Sequence, residues 1–515
     1  MHSQALGLFS LGTTNLLEGP GAGSDSVVLA ASPSTAAWTA STNASWLHLS
    51  VANQSGVGST NVVFSFDANP GATRSGVVTV GGKALTVTQA GATYVSAGVL
   101  TTLVSSNLNR PISLAVDAAG NVFICDENNS AIKEWVAASN SLVTVVSGLG
   151  APASLALDAS TNIYIADAGN YTILKYNPVS NNLSTVVSQY TGISFCEGVA
   201  LDPSGNLYIA DTGHGMVKEL PVGGSSLLTL ASGYSFLEQM SADAAGNVYL
   251  TDFNKAVVDE YVAGGSNVVT LIPSVQYKDA KVDGTGSLYV MNDGGPPNYS
   301  SSVIKHSAVN GNLTSVVPAG QGLFASSGLA LDATGNIYIA DFGNNAIKEL
   351  PVAFVDPTAK SESGAAGSDV LPAVLPVTEN LNPPFAPTSD QSWLTIGGIT
   401  NGVVSFSFSA NNSGSNRTAN ISLLGKTIAV NQSKNATITR PTLVGLKLLS
   451  KGVLQFSFTN TQTTNFTLLS STNAGLALSN WTVVGTPSNI APNVFQFTSP
   501  ATTNDRMRFY TVRSP

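Results

Sequence analysis

A phrase of apolar and polar segments recurs six times in the middle of this chain. Each copy contains an apolar run, an aspartate, a turn ending in Gly-Asn or a near equivalent, and an aromatic and apolar run closed by a second polar residue. The copies read SLAVDAAGNVFICD, SLALDASTNIYIAD, GVALDPSGNLYIAD, MSADAAGNVYLTD, AKVDGTGSLYVMN and GLALDATGNIYIAD. Their first aspartates follow one another at intervals of 41, 44, 41, 40 and 49 residues. A period of this length, with several short strands in each repeat, is typical of β-propeller blades.

Each repeat divides into four strands, and the first two are apolar without clean alternation, as expected for strands buried on both faces. The turn between them contains Asp, Gly and Asn, which favour a tight reversal. The strand VLTTLVS at 99–105 precedes the first copy and matches the outer-strand phrase that is missing after the sixth. We expect this strand to complete the sixth blade and close the ring, which removes an open sheet edge.

The segments on either side of the repeats are related to each other. Residues 36–91 and 386–433 both contain Ser-Trp-Leu, a Phe-Ser-Phe strand, Asn, Arg, Gly-Lys and an alternating strand that ends in Gln. The alternation predicts half-buried strands of a β-sandwich. The matching tryptophans are either sugar-stacking platforms or core residues, with the core favoured, and the matching arginines are expected to support turns: Trp46 and Trp393, Arg74 and Arg417.

From about residue 435 the strand pattern changes and predicts a third, smaller antiparallel sandwich. The predicted fold class is therefore all-β, a six-bladed β-propeller with three flanking β-sandwich domains. The predicted boundaries are 1–94 for the first sandwich, 95–357 for the propeller, 358–434 for the second sandwich and 435–515 for the third.

The propeller copies resemble NHL repeats, for example in IYIADAGNYTILKY and IYIADFGNNAIKEL, although the arginine of that family's Asn-x-Arg-Ile phrase is absent. Residues 5–92 and, more loosely, 358–434 resemble the BACON domain, an immunoglobulin-like module of secreted bacterial proteins often linked to carbohydrate or mucin binding. The C-terminal module resembles fibronectin-III-like ends of secreted proteins from environmental bacteria. These resemblances imply a bacterial protein that is secreted or lies on the cell surface.

Composition narrows the range of partners. Charged residues make up 10% of the chain, against about 25% in typical domains, and the formal net charge is −9. Nucleic acid is not an expected partner, because its binding requires a basic face and the chain has no basic run. A membrane span is not expected either, since no run of about 20 apolar residues is present.

Two further features bear on targeting and on thiol chemistry. The segment MHSQALGLFS has no charged n-region and no clear apolar core, so no signal peptide is expected in this chain.

Cys125 and Cys196 fall in blades that are not neighbours, which predicts two buried thiols rather than a disulfide.

The candidate ligand site lies in the irregular connections between the repeats. In a four-stranded blade the outer-to-inner and second-to-third connections lie on one face, which we call the top face. These connections are rich in aromatic residues and contain a few carboxylates, a combination that suits neutral sugars or peptide segments. The NDGGPPNYSSS insert, with Tyr299, belongs to the same face. The predicted ligand-binding residues are Asn109, Arg110, Tyr190, Phe195, Glu197, Tyr234, Phe236, Glu238, Tyr277 and Phe324.

Catalysis and metal binding have weaker support in the sequence. Of the four histidines, only His214 falls on a predicted top-face turn, so a three-histidine metal centre is not expected. A calcium site formed by Glu197, Glu238 and Asp279 is conceivable, although no metal-binding motif supports it, and no cofactor is expected. Glu197 and Glu238 could instead act as an acid and base pair. No catalytic residue is assigned.

The sequence thus favours an extracellular multidomain binding protein whose propeller recognises a glycan or a protein, with the sandwiches as spacers, attachments or carbohydrate-binding modules. One alternative is a propeller hydrolase or lyase acting on a polysaccharide or a small ester or lactone. A second alternative is a structural, self-assembling surface protein. The oligomeric state cannot be derived from the sequence.

Overall fold

A computed structural model describes residues 8–265, 267–435, 441–449, 453–460, 466–499 and 507–513. His2 and the other residues of the N-terminal segment before residue 8 lie outside this range. The contact pattern divides the chain into two compact units. The first unit contains the described chain up to Ser361 together with Gly367–Ser409 and Thr418–Asn431, and the second contains Glu362–Ala366, Ala410–Arg417 and the described residues from Gln432 onward.

Six four-stranded antiparallel sheets form the centre of the first unit. We number them as blades one to six, and the strands of each run from the ring centre outward. Blade one contains Pro111–Val116, Val122–Asp126, Ala131–Val136 and Ser141–Ser147, and blade two contains Pro152–Leu157, Ile163–Asp167, Thr172–Asn177 and Asn182–Ser188. Blade three contains Cys196–Leu201, Leu207–Asp211, Met216–Leu220 and Leu228–Ser232, and blade four contains Leu237–Ala242, Val248–Asp252, Val257–Tyr261 and Val268–Pro273. Blade five contains Asp279–Val282, Leu288–Asn292, Ser302–His306 and Leu313–Val317, and blade six contains Gly328–Leu331, Ile337–Asp341, Ala346–Leu350 and Thr101–Val104.

The six sheets close into a ring. The first strand of each blade contacts the first strand of the next, and the first strand of blade six returns to that of blade one. The outer strand of blade six comes from the segment before blade one, as the sequence predicts: Thr101 pairs with Glu349 and Val104 with Ile347. The predicted all-β propeller fold is confirmed.

The first sandwich consists of two sheets around an apolar core that includes Trp38 and Phe64. One sheet has four strands and the other has five. In the five-stranded sheet, Asn15–Glu18 pairs in parallel with Lys83–Gln89. In spatial order the strands are Leu8–Leu11, Gly23–Ser32, Thr60–Phe66 and Leu47–His48 in one sheet, and Asn15–Glu18, Lys83–Gln89, Arg74–Val80, Ala37–Thr42 and Ser55–Val57 in the other.

The second sandwich repeats this architecture with fewer strands. One sheet has four strands and the other has three: Lys360–Glu362, Lys426–Gln432, Arg417–Leu423 and Thr388–Ser389; and Gly367–Val370, Val403–Phe408 and Leu394–Thr400. A two-stranded ribbon of Val95–Ser96 and Phe354–Val355 joins the two ends of the propeller segment.

The duplicated motif explains why both segments fold alike. Asn69 Nδ2 donates hydrogen bonds to Ala72 O at 2.8 Å and to Ala90 O at 2.9 Å, and the equivalent Asn411 Nδ2 donates to Ser415 O at 2.8 Å and to Ser433 O at 3.0 Å. The arginine of each motif contacts the glutamine that ends the alternating strand, through its Nε: Arg74 with Gln89 at 2.9 Å, and Arg417 with Gln432 at 2.8 Å.

The structure supports the expected roles of the tryptophans and of the first arginine. Trp46 packs on the core of its sandwich and is covered by the Arg74 guanidinium, 4.4 Å from the ring centroid. Arg74 also donates to Asp67 O at 2.7 Å and so supports the turn. Trp393 likewise packs on a core cluster.

The two sandwiches of the first unit contact turns between the first and second strands of a blade, which lie on the face opposite the top face. Ser26 Oγ donates to Thr285 O in the turn of blade five at 2.7 Å. Glu379 Oε2 accepts from Asn336 Nδ2 in the turn of blade six at 3.4 Å. We call this side the bottom face of the propeller.

The second unit contains a two-sheet sandwich with a phenylalanine-rich core. Phe458 stacks on Phe495 with centroids 5.4 Å apart, and Phe466 meets Phe495 edge-on at 4.7 Å. In spatial order the strands are Thr442–Leu448, Leu454–Thr459, Val494–Thr498 and Ser488–Ala491; and Thr482–Gly485, Thr467–Ser471 and Phe509–Arg513.

The described residues contain no helix longer than one short turn. The helical turns are Val51–Asn53, Glu127–Asn129, Ala168–Asn170, Gln189–Thr191, Thr212–His214, Phe342–Asn344 and Leu478–Asn480. The part of the chain that the structure describes has no helix long and apolar enough to cross a membrane.

Candidate functional site on the top face of the propeller

The second polar residue of the repeat anchors the top-face loops. In five blades it is a buried aspartate at the end of the second strand, and its Oδ accepts a backbone N–H from the loop that leads into the same blade. The pairs are Asp126 with Asn109 at 2.7 Å, Asp167 with Gly150 at 2.7 Å, Asp211 with Ser194 at 2.8 Å, Asp252 with Ser235 at 2.7 Å and Asp341 with Phe324 at 2.8 Å. Because ionised acceptors form the stronger hydrogen bonds, this contact fixes each loop firmly.

Lysines on the third strand strengthen three of these anchors. The ammonium groups of Lys133, Lys218 and Lys348 lie 2.7, 2.9 and 2.7 Å from the carboxylates of the aspartates in blades one, three and six. Each lysine also donates to a loop carbonyl, and these acceptors belong to Asn107, Gly192 and Gly322. The repeated residues thus hold the variable loops in place.

Blade five departs from this pattern. Its equivalent residue is Asn292, and the loop is held instead by the Lys278 N–H, which donates to Met291 O at 2.9 Å. The Lys278 side chain pairs with Glu238 on the top face.

Four blades contribute charged groups to the centre of the top face. Lys278 Nζ lies 2.8 Å from Glu238 Oε1 and 3.8 Å from the centroid of the Phe253 ring. Burial, together with the negative charges of Glu238 and Glu127, raises the pKa of Glu197 to about 7. No described side chain forms an ion pair with Glu197. The centre therefore combines one partly buried carboxyl group that titrates near neutrality with one lysine–glutamate pair.

Arg110 belongs to the edge of this centre. Its Nε lies 3.5 Å from Glu127 Oε2, and its guanidinium lies 4.6 Å from the centroid of the Phe342 ring. Asn109 is exposed beside it. The predicted residues Asn109, Arg110, Glu197 and Glu238 thus all belong to the loops and strand starts of the top face.

A ring of six equivalent residues constricts the channel below this centre. They occupy the same register position on the inner strands: Ser113, Ser154, Gly198, Gln239, Asp279 and Gly328. The Gln239 side chain accepts from Ser154 Oγ at 2.7 Å and from Ser113 Oγ at 3.2 Å, and donates to Glu197 O at 3.1 Å. One side chain therefore links blades one, two, three and four.

The structure does not bring Glu197, Glu238 and Asp279 together as one set of metal ligands. Asp279 is fully buried in the constriction, where its Oδ1 lies 2.9 Å from Lys281 Nζ and its Oδ2 accepts the Leu329 N–H at 2.8 Å. Glu238 is neutralised by Lys278. Across the described ranges, no three histidine, cysteine, aspartate or glutamate side chains are placed to hold a metal ion.

Two exposed aromatic pairs lie on the rim. Tyr171 and Phe195 meet edge-on with centroids 6.4 Å apart, between blades two and three. Tyr299 and Phe324 meet edge-on at 6.0 Å, between blades five and six. In a ring of six blades these two gaps are three blades apart, so the pairs face each other across the top face. Tyr190 adds an aromatic ring that is 90% exposed.

The other predicted aromatic residues are less accessible, and one prediction is wrong. Tyr277 is only 2% exposed and packs between blades four and five against Tyr249 and Ile272, so it is a core residue. Tyr234 and Phe236 are half-buried, and Tyr234 lies 5.5 Å from Lys255 Nζ. Burial raises the pKa of Tyr234 above its ordinary value.

Sequence reasoning missed several top-face residues. Tyr171, Phe253 and Phe342 follow the second strand of their blades, a position that the repeat register already assigns to the top face. Gln239 was also missed. Aligning the repeats could have found it, because it is a long polar residue at a position where two blades carry serine and two carry glycine.

Comparison with known proteins supports part of this account. Residues 36–90 and 385–433 match the BACON family, described as "Putative binding domain, N-terminal", which agrees with the resemblance of the flanking segments. No curated protein sequence matches the chain.

Solved structures with a similar fold include a gluconolactonase from Xanthomonas campestris, at 14% identity and a TM-score of 0.43 over 50% of this chain and 90% of that one. A protein of unknown function from Bacteroides thetaiotaomicron has 14% identity and a TM-score of 0.44 over 68% and 98%. The calcium-binding protein regucalcin from Agrobacterium tumefaciens has 15% identity and a TM-score of 0.41 over 50% and 94%.

Proposed function

We propose that this chain is an extracellular binding protein and that the top face of its propeller binds an extended glycan. The observation that carries the proposal is the pair of exposed aromatic contacts, Tyr171–Phe195 and Tyr299–Phe324, on opposite sides of a carboxylate-containing centre. Aromatic faces suit the apolar faces of sugar rings, and a few polar groups between them orient a ligand.

The charge distribution favours a glycan over a peptide segment. Glu197 and Glu238 can accept hydrogen bonds from sugar hydroxyl groups, and the Lys278 ammonium can donate to them. Hydroxyl groups both donate and accept, so a neutral sugar chain can satisfy both kinds of partner.

The module assignments belong to the same proposal. We infer NHL-type repeats at 95–357, BACON-like sandwiches at 1–94 and 358–434, and a fibronectin-III-like module at 435–515. The sandwiches would then serve as spacers, attachments or further carbohydrate-binding modules. A secreted or cell-surface bacterial origin goes with this arrangement.

A propeller hydrolase or lyase is the second candidate. The observation in its favour is that Glu197, with a pKa of about 7, lies near the Glu238–Lys278 pair, because a carboxyl group that titrates near neutrality suits proton transfer. Steady production of new sugar ends by the full chain, abolished by Glu197→Gln, would support this candidate over binding alone.

An array of oligosaccharides, probed in parallel with an array of peptides, tests the binding proposal on the full chain. We expect glycan signals that fall at least tenfold in Phe195→Ala and in Phe324→Ala. Val179→Ala is the matched control, since Val179 is 92% exposed and lies between a third and an outer strand, away from the top face. Signals confined to the peptide array, or glycan signals unchanged in both aromatic variants, would overturn the proposal.

A further inference from the structure

Two carboxyl groups are buried where the second sandwich docks on blade six. Glu349 comes from the third strand of the blade and is 1% exposed, and Glu379 comes from the sandwich and is 7% exposed. Asn336 Nδ2 links this site to the neighbouring turn, because it donates to Glu379 Oε2 at 3.4 Å and to Asp332 Oδ2 at 3.0 Å. Tyr338 OH donates to Asp332 Oδ2 at 3.3 Å.

The surroundings of the two carboxyl groups are apolar. One continuous core cluster contains propeller residues such as Ala330 and Ile347 together with sandwich residues such as Val374 and Leu381. Glu349 Oε1 and Glu379 Oε1 are both buried without a hydrogen-bond partner.

The described residues provide no cation to pair with these two carboxyl groups. The titratable groups that face the pair are Asp332 from the turn, Tyr338 from the second strand and the two glutamates themselves. Among the described residues, no lysine, arginine or histidine forms an ion pair with Glu349, Glu379 or Asp332. Burying an unpaired carboxylate costs several kcal/mol, whereas a protonated carboxyl group is tolerated far better.

The cross-strand position of Glu349 carries different residues in other blades. Glu349 is directly opposite Tyr338, and the same cross-strand position is Lys175 in blade two and Lys305 in blade five. Blade five also receives a sandwich, and there the carboxyl groups of Asp283, Asp25 and Glu18 share one cation, Lys305, whereas blade six offers none among the described residues. The remaining blades carry glutamates that are only half-buried: Glu134, Glu219 and Glu260.

We propose that a proton held at the Glu349–Glu379 pair keeps the second sandwich docked on blade six, so that this contact tightens at acidic and neutral pH and loosens when both carboxyl groups ionise.

The direction follows from proton linkage. Burial, together with the negative charges of Glu379 and Asp332, raises the pKa of Glu349 to about 9. Burial also raises the pKa of Glu379 to about 7. Both groups titrate near 4.5 when the interface opens to water, so the docked state holds more protons than the open state across the interval between. The stability of docking is therefore complete below about pH 4.5 and is lost as pH rises toward 9.

Hydrogen exchange measured by mass spectrometry on the full chain tests the proposal, with rates corrected for the intrinsic pH dependence of amide exchange. The reporters are Phe354 and Leu375, whose backbone groups exchange hydrogen bonds of 2.7 and 3.0 Å across the interface. Because docking is linked to at least one proton, we expect the opening equilibrium at these amides to rise at least about tenfold between pH 6 and pH 9.

Glu379→Gln and Glu349→Gln are the test variants: each should reduce this pH response by removing one of the two titrating groups, and the double variant should abolish it, without lowering protection at pH 6. Glu260→Gln is the matched control, because Glu260 occupies the equivalent position in blade four without a docked sandwich, and it should retain the wild-type response. The proposal is overturned if protection at Phe354 and Leu375 is independent of pH, or if both glutamine variants respond as the wild type does.

Discussion

Ser154 and Gln239 lie on blades two and four, and a hydrogen bond of 2.7 Å joins them across the central channel. The Gln239 amide is 3% exposed and donates in turn to Ala153 O and Glu197 O at 2.9 and 3.1 Å. A single side chain thus links inner strands that are far apart in the sequence and forms the floor of the candidate site.

Gln239→Ala should lower the free energy of unfolding by about 1–3 kcal/mol, because buried hydrogen-bond partners on Ser113, Ser154 and two carbonyl groups lose their contacts. Urea unfolding of the full chain measures this change. The exposed Gln276→Ala, in the loop before blade five, should change stability by less than about 0.5 kcal/mol. Equal effects of the two substitutions would contradict the role given to Gln239.

Asp211→Ala tests the anchoring of the top-face loops. The substitution leaves the buried ammonium of Lys218 without its partner at 2.9 Å and releases the Ser194 N–H, so we expect a loss of about 3–5 kcal/mol. The control is Asp67→Ala, which removes an exposed ion pair with His48 at 3.1 Å and should cost less than about 1 kcal/mol. Hydrogen exchange should quicken in the loop before blade three, and an unaltered loop would argue against anchoring.

Gly284→Ala tests the docking of the first sandwich on blade five. A Cβ at this position would lie 2.6 Å from Gly12 O, so backbone would have to move, and we expect a loss of about 1–3 kcal/mol. Gly265→Ala is a suitable comparison, because the nearest atoms to its added Cβ lie 3.7 Å away. Thermal unfolding midpoints measured side by side should separate the two variants, and coinciding midpoints would show that the close approach is unimportant.

Glu197 should give the top face a pH dependence near neutrality. Its pKa of about 7 lies above the ordinary carboxyl value of 4.5, so the stability that the protonated group provides is full below about pH 4.5 and is lost as pH rises through 7. A titration of unfolding free energy from pH 5 to pH 8 should therefore fall more steeply in the wild type than in Glu197→Gln. Parallel curves would mean that this carboxyl group titrates normally.

The repeat carries most of the information about the propeller. Its period and its Asp-containing turns predict the blades, and the displaced strand at 99–105 predicts how the ring closes, because these features depend on residues close together in the sequence. The duplicated Asn and Arg motif likewise indicates the two flanking sandwiches, since each copy spans fewer than 60 residues.

The site is harder to predict because it depends on which way a loop side chain turns. Phe195 and Tyr277 both precede an inner strand, yet Phe195 is 36% exposed and Tyr277 is 2% exposed between two blades. The contact of Glu349 with a sandwich that follows the propeller in the sequence is also beyond the reach of sequence patterns, since no local pattern specifies which blade a neighbouring domain covers.

Isothermal titration calorimetry on the full chain tests the extended glycan site most directly. The ligands are a length series of the oligosaccharide selected on the array. We expect affinity to rise with chain length until one oligosaccharide contacts both Phe195 and Phe324. Phe324→Ala should remove the gain of the longer oligosaccharides and leave the shortest ones unaffected. Affinity that is independent of length, or a length dependence that survives in the Phe195→Ala/Phe324→Ala double variant, would contradict an extended glycan site across the top face.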